Sequence, residues 1–281
     1  LPESLQSRFS LSHGMVVQVL SRQDDGGCMG LARLIKASHE RLPQKRILGR
    51  QAIEMVKTLR EAGILEWDYD DDGRRYARVN ADLGEDFSIH HALSLYLLDI
   101  LQRRDEWSPE GSETYALDVL TFVESILEDP DPILRRQLDK LKGEKVAEMK
   151  AAGIEYDDRM AELEKLEYPK PNRDLVYDTF NAFARLHPWV KTENIRPKSI
   201  AREMVESVMS FTEYVREYGL ERVEGLLLRY LSDVYKTLVQ TVPAFAKDER
   251  VEEIITTFGA IVRQVDSSLL DEWERLKDPY Q

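Results

Sequence analysis

The sequence contains a single cysteine, Cys28, among its 281 residues. One thiol cannot form an internal disulfide, and a chain without disulfides is typical of the reducing cytoplasm. No apolar run approaches the roughly 20 residues that a membrane-spanning helix needs, and residues 1–10 show no signal-peptide core. We therefore expect a cytoplasmic protein with no membrane partner.

Signatures of catalysis are also missing. The sequence has neither a G-x-x-x-x-G-K-[ST] phosphate loop nor a G-x-S-x-G nucleophile elbow. Adjacent His90 and His91 would point about 100° apart on a helix, so they could not bind one metal together. The acidic run at 68–73 matches the first half of a calcium loop, but Val79 stands where the closing glutamate should be. We expect no catalysis and no metal site in this chain alone.

The chain has no excess of positive charge, since its formal net charge is −13 at pH 7. A surface of this sign does not attract nucleic acid indiscriminately. Binding to nucleic acid would need a local cluster of lysines and arginines, because contacts to phosphates supply most of the electrostatic affinity.

The N-terminal third has the pattern of a winged helix-turn-helix. Caps, prolines and apolar spacing predict three helices, and residues 64–70 and 74–80 alternate as two strands of a hairpin. The predicted helices run from Ser10 or Ser12 to Ser21, from Met29 to Ser38, and from Gln44 to Glu61. We assign residues 1–86 to this domain.

The third of these helices would face nucleic acid in a winged helix. Basic residues are frequent on it and on the hairpin: Lys45, Arg46, Arg50, Lys57, Arg60, Arg74, Arg75 and Arg78. Of these, Lys45, Arg46 and Arg50 are our candidate contacts. The competing interpretation is that the charges form solvated faces of a domain used only for packing.

From Phe87 onward the pattern is helical, which makes the fold class mainly α, a winged helix followed by a multi-helix bundle at 87–281. Within the bundle, residues 133–167 are highly charged and predict a helical hairpin that turns near Gly153. This hairpin is either an arm for a partner or a solvated insertion. We also predict one long helix from Lys198 to Tyr218, and a last helix from Asp248 to about Lys277.

A long, largely apolar helix of the bundle is predicted at Leu220–Gln240. It is apolar on most of its circumference, and its single polar stripe consists of Arg222, Arg229, Asp233, Lys236 and Gln240. Such a stripe either meets a ligand or satisfies itself as an Arg229–Asp233–Lys236 ladder, because unpaired buried charges are costly.

Three stretches carry a resemblance to a known family. Residues 5–20 resemble the segment that follows the second RecA-like domain in superkiller-type and exosome-associated DExH-box RNA helicases. Residues 219–238 resemble the helical ratchet region of those helicases, and the stretch 261–273 resembles their last helix. The matching positions are Ser7, Phe9, Leu11, Met15, Glu224, Gly225, Leu226 to Leu228 and Arg229. The whole chain also resembles an uncharacterised C-terminal region of bacterial DEAD/DEAH-box helicases of this branch.

The resemblance implies a parent ATP-dependent RNA helicase whose RecA-like domains bind ATP and Mg²⁺ and precede Leu1. This chain would then be their non-catalytic partner, contacting single-stranded RNA, with DNA left open as a substrate. Arg229, Lys236 and Gln240 would contact the strand, and Asp233 would position Arg229 through an i,i+4 pair. Two departures from the family stand out. The charge signs at Asp233 and Lys236 are exchanged, and 9–80 leaves no room for the arch insertion.

Two other functions remain open from the residues alone. A winged-helix transcription regulator with an α-helical dimerisation or effector domain explains residues 1–86 equally well. A scaffold without nucleic-acid contacts is the third possibility, and it requires the basic residues of 44–60 to be paired or buried. A P-loop and a DExH-type motif upstream of Leu1 would favour the helicase.

Overall fold

The fold comes from a computed structural model, which describes residues 9, 11–22, 26–69, 75–80, 93–109, 111–187, 190 and 193–265. In this part of the chain twelve α-helices and one two-stranded antiparallel sheet are present, which confirms the predicted mainly α class. His90 and His91, the acidic turn at 70–74 and the boundary predicted at residue 86 lie outside the described residues.

The first three helices and the hairpin follow each other in the order predicted for a winged helix. Ser12 caps α1 by accepting a hydrogen bond from the N–H of Met15 at 3.2 Å, and Pro43 occupies the first turn of α3. The two strands pair with Leu65 opposite Val79. The bounds of these helices and strands are α1 His13–Leu20, α2 Gly27–Ala37, α3 Leu42–Glu61, β1 Leu65–Tyr69 and β2 Arg75–Val79.

The bundle continues with five helices, and it contains the predicted charged hairpin. The hairpin consists of α6 and α7, and it turns at Gly153, whose φ of 71° favours glycine. Ile133 and Leu134 anchor the start of α6 in the core, whereas α7 has no buried residue. The bounds are α4 Ser94–Gln102, α5 Tyr115–Ile126, α6 Asp131–Ala151, α7 Tyr156–Glu164 and α8 Arg173–Leu186.

The single helix predicted for Lys198–Tyr218 is wrong, because the chain forms two helices there: α9, Ala201–Glu206, and α10, Phe211–Tyr218. Between them Val208 adopts a left-handed φ of 51°. Ser210 and Glu213 form a capping box, in which each side chain accepts a hydrogen bond from the backbone N–H of the other residue. This local start signal restarts the helix at Phe211.

The last two helices, α11 (Glu224–Gln240) and α12 (Glu249–Val265), pack along each other, and both contact α5. They pack tightly at Gly259, where an added Cβ would lie 3.0 Å from the Tyr235 ring. The helix predicted to start at Leu220 begins at Glu224, four residues later. Buried residues form one continuous core from α1 to α12, so the winged helix and the bundle share their interior.

Candidate nucleic-acid interface

Side chains on one face of α3 form a basic stripe. Positions 46, 50, 53, 57 and 60 repeat at intervals of four and three residues, so Arg46, Arg50, Ile53, Lys57 and Arg60 share that face. The three arginines are exposed, and none forms an ion pair within the described residues. Lys57 lies 3.7 Å from Glu54, with both side chains mostly exposed. The stripe therefore presents nearly its full positive charge to solvent.

Two other predicted cations are already engaged by the protein. The Nζ of Lys45 donates to the backbone carbonyl of Lys36 at 2.6 Å, which ties α3 to the end of α2. On β2, Arg78 lies 3.5 Å from Glu66 and 3.7 Å from Asp68. Among the candidate contacts on α3, Arg46 and Arg50 are thus more available to a ligand than Lys45.

An open groove of about 750 Å³ runs between α2 and α3, beside the basic stripe. Its walls are mainly apolar: Leu31, Ala32, Ile35, Ala52, Ile53 and Val56, with Trp67 of β1 and the exposed Cys28 also lining it. Arg46, Arg50, Lys57 and Arg60 all contribute to its lining. The sequence pattern missed this groove, because helical periodicity describes one helix at a time and not the space between two.

The polar stripe of α11 passes from the surface into the interior. Arg222, in the turn before the helix, and Arg229 are exposed, whereas Asp233 and Lys236 are half-buried. Gln240 is only 7% exposed. A side chain this deeply buried offers little surface to a bound strand, and the contact by Gln240 stays a prediction.

The predicted pair between Arg229 and Asp233 is not formed. Asp233 lies instead 3.9 Å from Lys236, three residues further along the helix. An acid that precedes a lysine on a helix is the favourable order for the helix dipole, which explains the choice of partner. Arg229 therefore lacks an ion pair within the described residues, and the self-satisfied ladder of three side chains does not exist.

Glu124, near the C-terminal end of α5, is fully buried. Its carboxylate accepts hydrogen bonds from the backbone N–H groups of Ile200, Ala201 and Arg202 at 2.8–3.0 Å, and from the hydroxyl of Tyr230 at 2.9 Å. Burial raises the pKa of Glu124, and these donors counteract the shift. The carboxylate joins α5, α9 and α11, and its role is structural.

Lys198 is fully buried, and its ammonium group also makes hydrogen bonds inside the bundle. Its Nζ donates to the carbonyls of Leu127 and Arg196, both at 2.8 Å, and it lies 3.0 Å from Asp129. Burial lowers the pKa of Lys198, whereas Asp129 raises it. The sequence offered one signal for this polar interior, namely the charged Glu124 next to the apolar Phe122 and Val123 of α5.

Within the described residues, no group of three or more histidine, cysteine, aspartate or glutamate side chains is placed to hold a metal ion. None of the described helices has the length and apolar character needed to cross a membrane.

Comparison with known proteins gives one match. The family model described as "Domain of unknown function (DUF3516)" covers residues 1–281. The chain belongs to this family. No curated protein and no solved structure matches the chain. Family membership extends over winged helix and bundle alike, and the family's description assigns no activity to either.

Proposed function

We propose that this chain is the nucleic-acid-engaging C-terminal module of an ATP-dependent RNA helicase, and that it holds single-stranded RNA on the basic stripe of α3. The observation that best supports this proposal is that Arg46, Arg50 and Arg60 are exposed and have no carboxylate partner among the described residues. Unpaired cations on one helix face are what phosphate contacts require.

The distribution of charge supports this location. Nearly all of the excess acidic charge lies beyond residue 86, so the winged helix is close to neutral overall while its α3 stripe is positive. A polyanion is therefore attracted to α3 and repelled by much of the bundle. On the bundle, the exposed Arg222 and Arg229 are the remaining candidate contacts from the α11 stripe, with the paired Lys236 contributing less.

The resemblance to DExH-box helicases supports the rest of the proposal. In the parent enzyme, RecA-like domains would bind ATP and Mg²⁺ and move the strand in the cytoplasm, and this chain would contact those domains. Its own residues would position the strand, because the described part shows neither a nucleotide-binding loop nor a metal cluster.

Binding of fluorescently labelled single-stranded RNA by the full-length protein tests the proposal. The double variant Arg46→Ala/Arg50→Ala should bind at least tenfold more weakly than the wild type. Its plot of log affinity against log salt should flatten by about 1.4, since each lost phosphate contact removes about 0.7 for a single strand. Unchanged affinity in this variant would overturn the assignment of α3.

A matched control uses Arg135→Ala/Arg136→Ala on α6. These two arginines are also exposed and form no ion pair within the described residues, so the variant has the same change in net charge. It should retain wild-type affinity. Measurement with duplex DNA separates the competing function, because tighter binding to a duplex than to single-stranded RNA would favour a transcription regulator.

A further inference from the structure

We infer that the groove between α2 and α3 is a subsite for an unpaired nucleobase of the bound strand. The inference rests on the proposed function, because it uses the same face of α3. It adds the chemical class of the group that enters the protein, and it predicts that bases as well as phosphates contribute to affinity.

The groove has the size and lining of a ligand site. Its volume of about 750 Å³ lies within the roughly 300–1,000 Å³ range of small-molecule pockets, and its walls are mostly apolar. Ile53, in the middle of the basic stripe, is 57% exposed although it is aliphatic. Trp67 contributes an aromatic side chain to the lining, and aromatic groups are the usual stacking platforms for bases.

Four cationic side chains of α3 line the groove. Arg46 and Arg60 are fourteen residues apart on α3, which corresponds to about 21 Å of helix. Arg50 and Lys57 lie between them, and all four side chains line the groove. A nucleic-acid strand carries a flat apolar base and an anionic phosphate at every step. It therefore matches an apolar groove with a cationic border at more than one position.

The base must be unpaired to enter. In a duplex the faces of the bases are stacked on their neighbours, and only their edges reach the grooves. A single strand can turn a base outward and bury its face against protein. The groove thus predicts a preference for single-stranded RNA over duplex RNA of equal length.

Cys28 provides a direct measurement, because it is exposed and lines the groove. Alkylation of Cys28 in the full-length protein can be followed by mass spectrometry of its peptide. A saturating single-stranded oligonucleotide should slow this reaction at least fivefold. The same backbone with abasic sugars, and a duplex of equal length, should each leave the rate within twofold of the free protein.

A variant pair separates the base contact from the phosphate contacts. Ile53→Gln keeps the size and the charge of an exposed side chain but removes its apolar surface. It should weaken binding of the normal strand about fivefold and leave binding of the abasic strand unchanged. Leu42→Gln, at an exposed apolar position on α3 outside the groove, should bind both strands like the wild type.

The outcomes distinguish this inference from the proposed function. In one outcome, Arg46→Ala/Arg50→Ala loses RNA binding, Ile53→Gln binds the normal strand like the wild type, and the normal and abasic strands have the same effect on the alkylation rate of Cys28. The groove is then not a base subsite, and the proposed function stands. An acidic amphipathic helix is the competing occupant, and a synthetic peptide of residues 154–166, IEYDDRMAELEKL, serves as its probe. Stronger protection of Cys28 by this peptide than by single-stranded RNA would overturn the inference.

Discussion

The hydroxyl of Tyr230 donates a hydrogen bond of 2.9 Å to the carboxylate of Glu124, which joins the middle of α11 to the C-terminal end of α5. The same carboxylate holds the backbone N–H groups at 200–202, where α9 begins. Three helices that are far apart in sequence thus meet at one buried acid. This contact fixes α11 to α5 one residue from the exposed Arg229.

Tyr230→Phe removes the hydroxyl without removing the ring. We expect it to lower the free energy of unfolding by about 1–3 kcal/mol, because the buried carboxylate of Glu124 loses a donor that nothing replaces. Urea unfolding followed by circular dichroism measures the change. The control is Tyr156→Phe, whose ring is 63% exposed, and it should change stability by less than about 0.5 kcal/mol. Equal effects of the two substitutions would contradict the structural role of the contact.

Lys198→Met should be far more damaging than the same change at Lys236. The first removes a fully buried ammonium group, which leaves two carbonyls without their donor and Asp129 without its ion-pair partner and costs about 3–5 kcal/mol. The second removes a partly exposed partner 3.9 Å from Asp233, which costs about 0–1 kcal/mol. Chemical unfolding of both variants provides the comparison. A cost near zero at Lys198 would mean that its hydrogen bonds do not hold this part of the bundle.

The buried His13 makes stability dependent on pH. Burial is the main cause that lowers its pKa from 6.5 to about 4, and nearby His187 lowers it further. The unfolded chain therefore takes up a proton as the pH falls through 6.5, whereas the folded chain does so only near pH 4. The contribution of neutral His13 to the free energy of unfolding is therefore fully present above pH 6.5. It should fall by about 3 kcal/mol as the pH decreases towards 4.

Stability curves of His13→Gln between pH 7 and pH 4 check this prediction, since the variant should lose less stability over that range than the wild type. His39→Gln changes an exposed histidine and should follow the wild-type curve. Parallel curves for the wild type and His13→Gln would show that another group causes the acid dependence.

Two glycines in helices should respond oppositely to an added methyl group. Gly49 lies inside α3 with a negative φ and nothing within 4 Å of an added Cβ, so Gly49→Ala should stabilise the protein by about 0.5–1 kcal/mol. At Gly259 the new Cβ would lie 3.0 Å from the Tyr235 ring, so Gly259→Ala should melt below Gly49→Ala. Thermal unfolding of the two variants measures the difference, and the reverse order would contradict the close packing of α11 on α12.

Local signals were enough to predict most of the elements. Ser12 and Pro43 mark the starts of α1 and α3, and alternating residues predict the two strands, because these signals act within a few residues of chain. The break between α9 and α10 carried a signal of the same kind. Ser210 followed by Glu213 is a capping box, but the apolar spacing on both sides favoured one continuous helix.

The candidate site was less predictable, for a physical reason. Whether a charged side chain is available depends on neighbours that are distant in sequence. Lys45 hydrogen-bonds to α2, Arg78 is paired across the hairpin, and Gln240 is buried. The groove beside α3 requires two helices to be placed at once. Periodicity found the basic residues, and only the packing showed which of them are free.

The concentration of acidic charge beyond residue 86 has a consequence for stoichiometry. At 0.1 M salt, charges act over a distance of about 10 Å, so a strand bound on α3 would be repelled by much of the acidic bundle, apart from the exposed Arg222 and Arg229. A second polyanion would meet the same repulsion. Each molecule should therefore carry one strand even when nucleic acid is in excess.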